Sequence, residues 1–489
     1  MTGSARGAAG GQRVVIVGAG LAGCLLATLL GRHGIEVAVY ERRADPRASA
    51  PERGRSINLA ISARGLAALE QVGLADRALS RALPMHGRMV HDRDGGQSFR
   101  PYSADGARHI NAISRAELTV ALLDAAAKSP GVRLSFGHRL TELSLAAGEL
   151  RFETDEGPRV VTADVVLACD GAFSTARRAV TFRPGFSYSQ DYLDHKYKEL
   201  TIPARDGDFA MDPDALHIWP RGESMMIALP NLDRSFTCTL FWTAGQFAAL
   251  RTPGDVVDHF REHYPDVVRL APNLVGDYQR NPLGSLATIR AWPWVHHAAS
   301  RRDGRGDGGD EGERRGRSDG NGNGNGVSAG AGAGAGRRGG AALALVGDAA
   351  HAIVPFFGQG ANCAFEDCVE IDRCLRESGS DWAAALAAYE QRRKASCDTI
   401  AEMALDNFVE MRDRVNSPVF QARTAAGHWL ERRLPGRYVS RYELVSFTTM
   451  PYAQIPNRIR RQNQLTALAA GGLAGTAALL AAAVRGRRG

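Results

Sequence analysis

Three glycines near the start of the chain have a spacing that suits a phosphate group. Gly18, Gly20 and Gly23 form a G-x-G-x-x-G pattern between the apolar stretch RVVIVGAG and a helix-like stretch from about Leu21 to His33. The first glycine allows a tight turn, the second lets the backbone approach a pyrophosphate, and the third allows close helix packing. The helix N-terminus would direct free N–H groups and the positive dipole end at the phosphates. The pattern predicts a dinucleotide site.

An acidic residue follows at the distance this site requires. Glu41 lies twenty-one residues after Gly20, at the end of the strand-like stretch IEVAVYE. A carboxylate at that position can accept hydrogen bonds from both hydroxyls of a ribose. NAD and FAD share the adenosine diphosphate half, so this unit fits either cofactor.

A late stretch, LVGDAAHAIVPFFGQGANCAFEDC at residues 345–368, favours FAD. Asp348 ends a strand and could hold a ribityl hydroxyl. A helix beginning near Gly360 would turn the amides of Ala361 and Asn362 toward the pyrimidine edge of an isoalloxazine, where they would stabilise negative charge on reduced flavin. The alternative is a strand, turn and helix whose caps are satisfied internally.

A third motif, VVLACDGAFSTARRAV, has Asp170 and Gly171 after a strand and a helix opening at residues 174–177. In this order the three motifs resemble the single-component (group A) flavoprotein aromatic hydroxylases. The resemblance implies tightly bound FAD and hydride uptake from NADPH without a second Rossmann domain. No second G-x-G-x-x-G is visible in the sequence.

Longer strings resemble the kynurenine 3-monooxygenase family within that group, over about residues 13–460 without an inserted loop. They include GRSINLAISARG, PMHGRMVHD, LHIWPR, MMIALPN, SFTCTLF and NFVEMRDRVNS. The resemblance implies hydroxylation of L-kynurenine to 3-hydroxy-L-kynurenine in tryptophan catabolism. NADPH and dioxygen would be co-substrates, and a flavin C4a-hydroperoxide would transfer the oxygen.

A set of residues suits the amino-acid tail of such a substrate. The fork of Arg88 matches a carboxylate bidentately, and Tyr102 could add a hydroxyl donor. The resemblance adds Asn407 and Tyr442 to this group. Each has an ordinary alternative: Arg88 as a solvated edge charge, the tyrosines as packing aromatics, Asn407 as a polar residue on a helix surface. Gln359, in the FGQG turn, is a candidate for contact with both the aniline and the flavin edge.

The aromatic ring would need an apolar slot, although ordinary core packing is an equal alternative for each candidate. The candidates are Leu216, Ile227, Leu229, Phe241, Pro355, Phe356 and Met411. Because the ortho amino group already activates the ring, a general base is not required, and His351 is interpreted as structural. His296 and His297 are interpreted as a solvated strand end.

The predicted cofactor contacts extend beyond the glycines. Arg115 follows Ser114 in a capping-box pattern; the resemblance assigns it to the flavin, and a surface position is the alternative. Arg177 is a candidate for an NADPH phosphate. The complete predicted cofactor set is Gly18, Gly20, Ala22, Gly23, Tyr40, Glu41, Arg42, Arg43, Ala60, Arg115, Leu140, Thr175, Asp348, Ala361 and Asn362. No metal site is predicted, because the seven cysteines show no CxxC spacing and are expected to be reduced thiols.

These residues must be positioned by an α/β fold: a Rossmann-like FAD-binding domain of the aromatic-hydroxylase type with an inserted β-sheet substrate domain and a C-terminal helical region. The chain has 489 residues, 44% of them apolar, and its net charge of +7 comes from scattered arginines, so nucleic acid is not an expected partner. The predicted units are a flexible N-terminus at 1–12, the FAD-binding domain at 13–182 and 341–395, the substrate domain at 183–300 with part of 76–110, a disordered low-complexity insertion at 301–340, helices at 396–464 and an apolar tail helix at 465–484.

The tail is twenty residues without a charge, rich in alanine, and flanked by arginines. It could dock on the protein or associate with an anionic membrane surface. The start of the chain lacks the apolar stretch of a secretory signal, which favours a cytoplasmic enzyme. The oligomeric state is open.

Two other functions fit the same fold. A flavin halogenase is suggested by WPWV at 292–295, which resembles a paired-tryptophan motif, but the expected isoleucine and proline are absent. Another aromatic hydroxylase would share every cofactor motif. A flavin-free binding protein on this scaffold, as in the GDP-dissociation-inhibitor family, is the alternative that is not an enzyme.

Overall fold

A computed structural model gives the structure of the chain over residues 12–48, 58–103, 105–298, 340–414 and 418–468. The predicted N-terminus at 1–12 and insertion at 301–340 lie outside these ranges apart from residues 12 and 340. The predicted tail helix at 465–484 lies outside them from residue 469 onward. The predicted domain boundaries stay predictions.

Among the described residues, eighteen strands precede the predicted insertion and one follows it. They are β1 (Val14–Val17), β2 (Val37–Tyr40), β3 (Leu59–Ile61), β4 (Ala82–Met85), β5 (Gly87–His91), β6 (Gln97–Pro101), β7 (Ile110–Ile113), β8 (Val132–Ser135), β9 (Arg139–Ser144), β10 (Glu149–Thr154), β11 (Gly157–Thr162), β12 (Val165–Ala168), β13 (Ser187–Ile202), β14 (Ala215–Pro220), β15 (Met225–Pro230), β16 (Phe236–Thr243), β17 (Gly284–Trp292), β18 (Val295–His297) and β19 (Ala342–Leu345).

Helices alternate with the early strands and dominate after β19, as the sequence predicts. They are α1 (Leu21–Arg32), α2 (Ala63–Gln71), α3 (Ala75–Leu79), α4 (Arg115–Lys128), α5 (Thr175–Arg178), α6 (Ala244–Ala249), α7 (Pro253–His263), α8 (Pro265–Leu270), α9 (Leu274–Arg280), α10 (Asp348–His351), α11 (Gly360–Glu377), α12 (Trp382–Val409), α13 (Pro418–Arg433) and α14 (Arg441–Ser446). Residues 455–468 are also helical. No helix within the described ranges has the length and apolar character needed to cross a bilayer.

A six-stranded sheet carries the early βαβ unit. Its order is β18-β19-β12-β1-β2-β8, with parallel pairing throughout except at the edge strand β18. All four residues of β1 and of β12 are buried, because helices cover both faces of a parallel sheet. The carboxyl ends of β1, β2, β12 and β19 therefore meet at one edge, where a doubly wound sheet binds its ligand.

The edge strand β18 leads into the predicted insertion, and β19 follows it. Val295 pairs with Ala344, and the N–H of Ala298 donates to the carbonyl of Ala341 at 3.1 Å. The residues on the two sides of 299–339 are thus neighbours in one ladder.

A seven-stranded sheet faces the parallel sheet across the site, in the order β17-β13-β16-β15-β14-β5-β6. Its pairs are antiparallel except for β14 with β5. Residues 87–101 thus join strands that lie more than a hundred residues later in the chain. Helices α6 to α9 cover one face and form a separate buried core with Trp219, Trp242 and Phe260.

Candidate active site

A cavity of about 1000 Å³ lies between the carboxyl edge of the parallel sheet and the seven-stranded sheet. Its wall includes residues within three positions of the carboxyl ends of β1, β2, β12 and β19, namely Gly18, Glu41, Asp170 and Asp348. The early, middle and late motifs of the sequence therefore converge on one crevice, as predicted. A cavity of this volume suits a large cofactor together with a smaller ligand.

The three glycines take the parts that their spacing predicts. Gly18 has φ +99°, and a Cβ there would lie 2.5 Å from the carbonyl oxygen of Cys169. A Cβ on Gly23 would lie 1.9 Å from the carbonyl oxygen of Gly18, so this glycine packs α1 against the turn rather than lining the cavity. A Cβ on Gly20 would meet nothing within 4 Å, and Gly20 lines the cavity. The open space at Gly20 is where a bound pyrophosphate would approach the backbone.

Glu41 braces this turn. Its Oε2 accepts from the N–H of Ala19 at 2.9 Å, and its Oε1 accepts from the backbone N–H of Arg43 at 3.0 Å and from that residue's Nε at 2.8 Å. Burial alone would raise the pKa of Glu41, but these hydrogen bonds outweigh it and the pKa lies below its usual value. A buried, ionised carboxylate thus lies at the cavity wall beside the glycine turn, ready to accept ribose hydroxyls.

Asp170 offers an acceptor that lacks a donor. Its Oδ2 accepts from the N–H groups of Thr175 and Ala176 at 2.7 and 3.0 Å, at the start of α5. Its Oδ1 is buried and has no hydrogen-bond partner among the described residues. Burial raises the pKa of Asp170 above its usual value. Since buried polar atoms are normally paired, this acceptor fits a ligand that carries hydroxyl groups.

The late motif forms the opposite wall. Helix α11 begins at Gly360, as predicted, and Gly360 and Ala361 line the cavity. The Asn362 side chain instead ties neighbouring segments together: its Oδ1 accepts from the N–H of Ser62 at 3.1 Å, and its Nδ2 donates to the carbonyls of Ala60 and Gly358 at 2.9 and 2.8 Å. The role predicted for Asn362 concerned its backbone amide, so the side chain adds a second function.

The cavity lining contains most of the predicted cofactor set. Gly23 and Asn362 lie behind the wall. The members that line it are Gly18, Gly20, Ala22, Tyr40, Glu41, Arg42, Arg43, Ala60, Arg115, Leu140, Thr175, Asp348 and Ala361. Ser114 caps α4 by accepting from the N–H of Glu117 at 3.4 Å, which places Arg115 in the first turn as expected. The open space at Gly20, the ionised carboxylate of Glu41 and Asp170 Oδ1, which has no partner among the described residues, together suit the binding of FAD.

Arg177 lies away from the cavity. Its guanidinium is buried and donates to the carbonyls of Ala349 and Ala172, both at 2.7 Å. The neighbouring Arg178 lines the cavity instead. The NADPH contact predicted for Arg177 has no support from this placement.

Arg88 lies at the other end of the cavity, half-buried beside two tyrosines. The Tyr102 and Tyr442 rings stack with centroids 4.8 Å apart and an angle of 14°. The Arg88 guanidinium carbon lies 4.8 Å from the centroid of the Tyr442 ring and 5.8 Å from that of Tyr102. Arg88 Nε and the Tyr102 hydroxyl are both buried without a hydrogen-bond partner in the described part of the chain. Because Arg88 lines the cavity, its unpaired group is placed to meet an anion bound there.

The electrostatics of this cluster favour a bound anion. Burial acts against the charge on Arg88, but Tyr442, Tyr102 and Glu410 favour it, and the pKa stays above its usual value. Burial raises the pKa of both tyrosines, so they remain neutral hydrogen-bond donors. The solvated edge position left open for Arg88 is wrong.

Two other predicted residues lie directly behind this end. Asn407 is buried, and its Nδ2 donates to the carbonyl of Phe356 at 2.7 Å. Gln359 is buried, and its Oε1 accepts from the Tyr452 hydroxyl at 2.8 Å while its Nε2 donates to the carbonyl of Phe357 at 3.3 Å. Neither belongs to the cavity lining, nor does Tyr102. Their predicted contacts with a ligand stay predictions.

The predicted apolar slot lies beside Arg88. All of its candidates line the cavity: Leu216, Ile227, Leu229, Phe241, Pro355, Phe356 and Met411. Met85, Ile110 and Phe357 also line it and were not predicted. Met85 and Phe357 lie inside the strings PMHGRMVHD and FFGQG, so the signal was present, but strand geometry was needed to show which side chains turn inward.

The residues of the other motifs are placed elsewhere. The WPWV stretch is outside the cavity lining, and Trp294 is buried against His351 and Tyr389. His351 Nε2 bonds the Asp367 carboxylate at 2.6 Å, which fits its structural interpretation. His297 ends β18 and is exposed, as predicted, whereas His296 in the middle of that strand is buried, with Nε2 3.0 Å from the carbonyl oxygen of Pro293.

Comparisons with known proteins agree with this site. A family model described as an FAD binding domain matches residues 12–264 and 336–404. A kynurenine 3-monooxygenase of Myxococcus xanthus is 44% identical over 445 residues, covering 90% of this chain and 86% of that protein. A kynurenine 3-monooxygenase of Salinispora arenicola is 42% identical over 487 residues, covering 98% of each.

Solved structures share the fold at much lower identity. A tetrameric form of 2-methyl-3-hydroxypyridine-5-carboxylic acid oxygenase superposes with a TM-score of 0.61 at 20% identity, covering 86% of this chain and 96% of that one. This likeness concerns the fold alone. Together with the relatives and the family model, the site shows that the chain is an FAD-dependent monooxygenase that belongs to the kynurenine 3-monooxygenase family.

Proposed function

We propose that the enzyme hydroxylates L-kynurenine to 3-hydroxy-L-kynurenine, with FAD as cofactor and NADPH and dioxygen as co-substrates. The observation that carries this proposal is the half-buried Arg88, whose Nε is inaccessible and has no hydrogen-bond partner among the described residues, beside two tyrosines and an apolar slot in the same cavity as the FAD residues. The reaction would place the enzyme in tryptophan catabolism.

Arg88 would hold the substrate carboxylate. A guanidinium presents two parallel N–H groups that match the two carboxylate oxygens, and burial excludes competing water. The Tyr102 hydroxyl has no hydrogen-bond partner in the described part of the chain and would donate to the same carboxylate. Tyr442 stacks on Tyr102 and lines the cavity, so it fixes the ring that carries this donor.

The apolar slot would hold and orient the aniline ring. Phe356 packs edge-on against Phe241 with centroids 5.0 Å apart and stacks on Phe408 at 4.0 Å, so the wall is rigid. Clamping one end of the substrate and packing the other fixes which ring carbon faces the cofactor. The ortho amino group supplies electron density to ring carbon 3, so no side chain is required as a general base.

FAD, when bound, supplies hydride uptake from NADPH and activation of dioxygen; the hydroperoxide route implied by the resemblance stays a prediction. The glycine turn with Glu41 would hold its adenosine diphosphate half. Asp348 and the start of α11 would hold the flavin end. The apolar lining would keep water from the reacting atoms.

The test is turnover of the FAD-loaded enzyme with NADPH and L-kynurenine. We expect one added oxygen atom on the aromatic ring by mass spectrometry, with one NADPH consumed per product. A halogenase would require chloride and give a chlorinated product, and a flavin-free binder would stay colourless when supplied with FAD. A product formed only from a different aromatic compound would identify another hydroxylase of this group.

A further inference from the structure

Two cysteines approach each other between the helix that begins at the cofactor cavity and the helix that follows it. Cys363 lies in the first turn of α11, and Cys397 lies within α12. Their sulfurs are 3.6 Å apart and both side chains are buried. The proposed hydroxylation uses neither thiol.

A buried ionic network surrounds the pair. Arg393 Nε donates to Asp367 Oδ1 at 2.7 Å, and its Nη1 donates to Glu366 Oε2 at 2.9 Å. His351 Nε2 donates to Asp367 Oδ2 at 2.6 Å, and Arg64 Nη1 donates to Glu366 Oε1 at 2.6 Å. The Asp367 carboxylate raises the pKa of His351 well above its usual value against the effect of burial, so the ring is charged. Three cations thus face two carboxylates.

One of the two cysteine sulfurs carries the negative charge that balances the third cation. Cys363 Sγ lies 3.3 Å from Arg393 Nη2, and Cys397 Sγ lies 3.6 Å from the same atom. The hydrogen bond from Cys397 lowers the pKa of Cys363 to about 6, with further help from His351 and Arg393. The pKa of Cys397 is raised well above its usual value by burial. The pair is therefore a thiolate at Cys363 beside a thiol at Cys397.

A metal ion fits this cluster less well. The two sulfurs and a ring nitrogen of His351 all lie within 4.8 Å of one another, a ligand set that zinc would accept. However, the guanidinium of Arg393 already lies beside both sulfurs and supplies the balancing positive charge. A divalent cation would have to displace an arginine that two carboxylates hold in place.

We propose that Cys363 and Cys397 are a redox modification site, at which hydrogen peroxide forms a reversible disulfide between α11 and α12. The Cys363 thiolate attacks one peroxide oxygen, the O–O bond breaks, and hydroxide leaves, giving a sulfenic acid. The Cys397 sulfur then attacks the sulfenic sulfur, the S–O bond breaks, and the thiol proton leaves with that oxygen as water. Peroxide is reduced by two electrons and the two sulfurs are oxidised by two.

The geometry requires a small movement. A disulfide is about 2.0 Å long, so the sulfurs must approach by roughly 1.5 Å, which rotation of two side chains on adjacent helices can provide. A low-pKa thiolate beside a second thiol favours oxidation, and because Cys363 is 1% and Cys397 0% exposed, peroxide reaches the pair only when the packing of α11 against α12 opens. The remaining cysteines whose pKa is shifted are all shifted upward, as burial does to Cys238 and Cys368.

The test uses the FAD-loaded full chain. The protein is treated with hydrogen peroxide at one to ten equivalents, quenched with catalase, denatured and alkylated with N-ethylmaleimide. The chain has seven cysteines, so we expect the adduct count to fall from seven to five, with a cross-linked peptide that joins residues 363 and 397. Dithiothreitol should restore all seven. Cys238→Ser, a buried cysteine outside the cluster, is the matched control and should still lose two adducts.

Variants separate the two steps. Cys397→Ser keeps a donor beside Cys363, and we expect a sulfenic acid there that dimedone traps; Cys363→Ser should leave Cys397 unmodified. Seven adducts on the oxidised wild-type protein would overturn the proposal, as would a cross-link at other cysteines. So would one zinc per chain in the purified protein. If a variant fails to fold, the wild-type adduct count and peptide map decide.

Discussion

Replacing Arg88 with methionine should weaken substrate binding and yet stabilise the substrate-free protein. Methionine retains much of the length of arginine but removes the charge. Arg88 is half-buried, but its Nε is inaccessible and has no hydrogen-bond partner within the described residues, so the free enzyme bears part of the desolvation of a cation that only a ligand completes. The substitution therefore moves binding and stability in opposite directions.

The magnitudes follow from this environment. Removing one partner of a buried hydrogen-bonded charge pair costs about 2–5 kcal/mol of binding free energy. At about 1.4 kcal/mol per factor of ten, the Kd for kynurenine should rise by about 30- to 3000-fold. An unsatisfied buried donor costs about 1–3 kcal/mol of folding free energy, while stacking of the cation on Tyr442 returns up to about 2 kcal/mol. The net stabilisation should raise the melting temperature by at most a few degrees.

The assay is a titration of the flavin absorption spectrum with kynurenine and with its analogue that lacks the carboxyl group. Wild type should strongly prefer kynurenine, and Arg88→Met should bind the two ligands alike. Arg133→Met, on a side chain that is 74% exposed, is the matched control and should match wild type. If Arg88→Met kept its preference for kynurenine, or melted well below wild type, the carboxylate clamp would be refuted.

Three further predictions concern other parts of the molecule. Without cofactor, Gly20→Ala should keep the wild-type melting temperature but bind FAD at least tenfold more weakly. Gly23→Ala should lower the melting temperature of the cofactor-free protein, because its Cβ would lie 1.9 Å from a carbonyl oxygen. Calorimetry measures the melting temperature and flavin fluorescence measures FAD binding, and equal effects of the two substitutions would contradict the assigned roles. Glu41→Ala should raise the Kd for FAD by more than tenfold, since the carboxylate accepts from the glycine turn and would also accept from the ribose hydroxyls; unchanged flavin retention on a desalting column would contradict this. Asp266 accepts from His91 and from Trp219, and although burial acts to raise its pKa, these bonds hold the pKa below its usual value. Its stabilisation is thus present above about pH 4 and is lost as the pH falls through the folded pKa. Asp266→Asn should cost about 1–3 kcal/mol of unfolding free energy at pH 7, measured by denaturant titration, and a cost as large at pH 3 would contradict the linkage.

The cofactor end of the site is predictable because its signals are local. The spacing of Gly18, Gly20 and Gly23 determines a turn and a helix start within a few residues, and Glu41 follows at the end of the next strand. The acids Asp170 and Asp348 follow two further strands of the same sheet, two residues after β12 and three residues after β19. Since parallel strands present their carboxyl ends at one edge, the chain order of these motifs is enough to bring them together.

Side-chain direction is less predictable because distant contacts decide it. Asn362 turns away from the cavity to bond the backbone near Ala60, some three hundred residues earlier. Gln359 accepts a hydrogen bond from the Tyr452 hydroxyl, 93 residues later in the chain, and no local sequence pattern predicts such a contact. Cys363 and Cys397 lack CxxC spacing and pair only because α11 and α12 pack together, so the sequence predicted ordinary thiols there.

Because β18 pairs with β19, residues 299–339 between these strands are a suitable place to insert another protein. Ala298 and Ala341, on the two sides of residues 299–339, are joined by a backbone hydrogen bond next to the β18–β19 pairing. In general, doubling the length of a loop changes its closure free energy by only about 0.6 kcal/mol. A fluorescent or affinity module whose termini lie close together could replace residues 299–339 while leaving the ladder intact. The enzyme could then be tracked or immobilised through its sheet edge, with both chain ends left free.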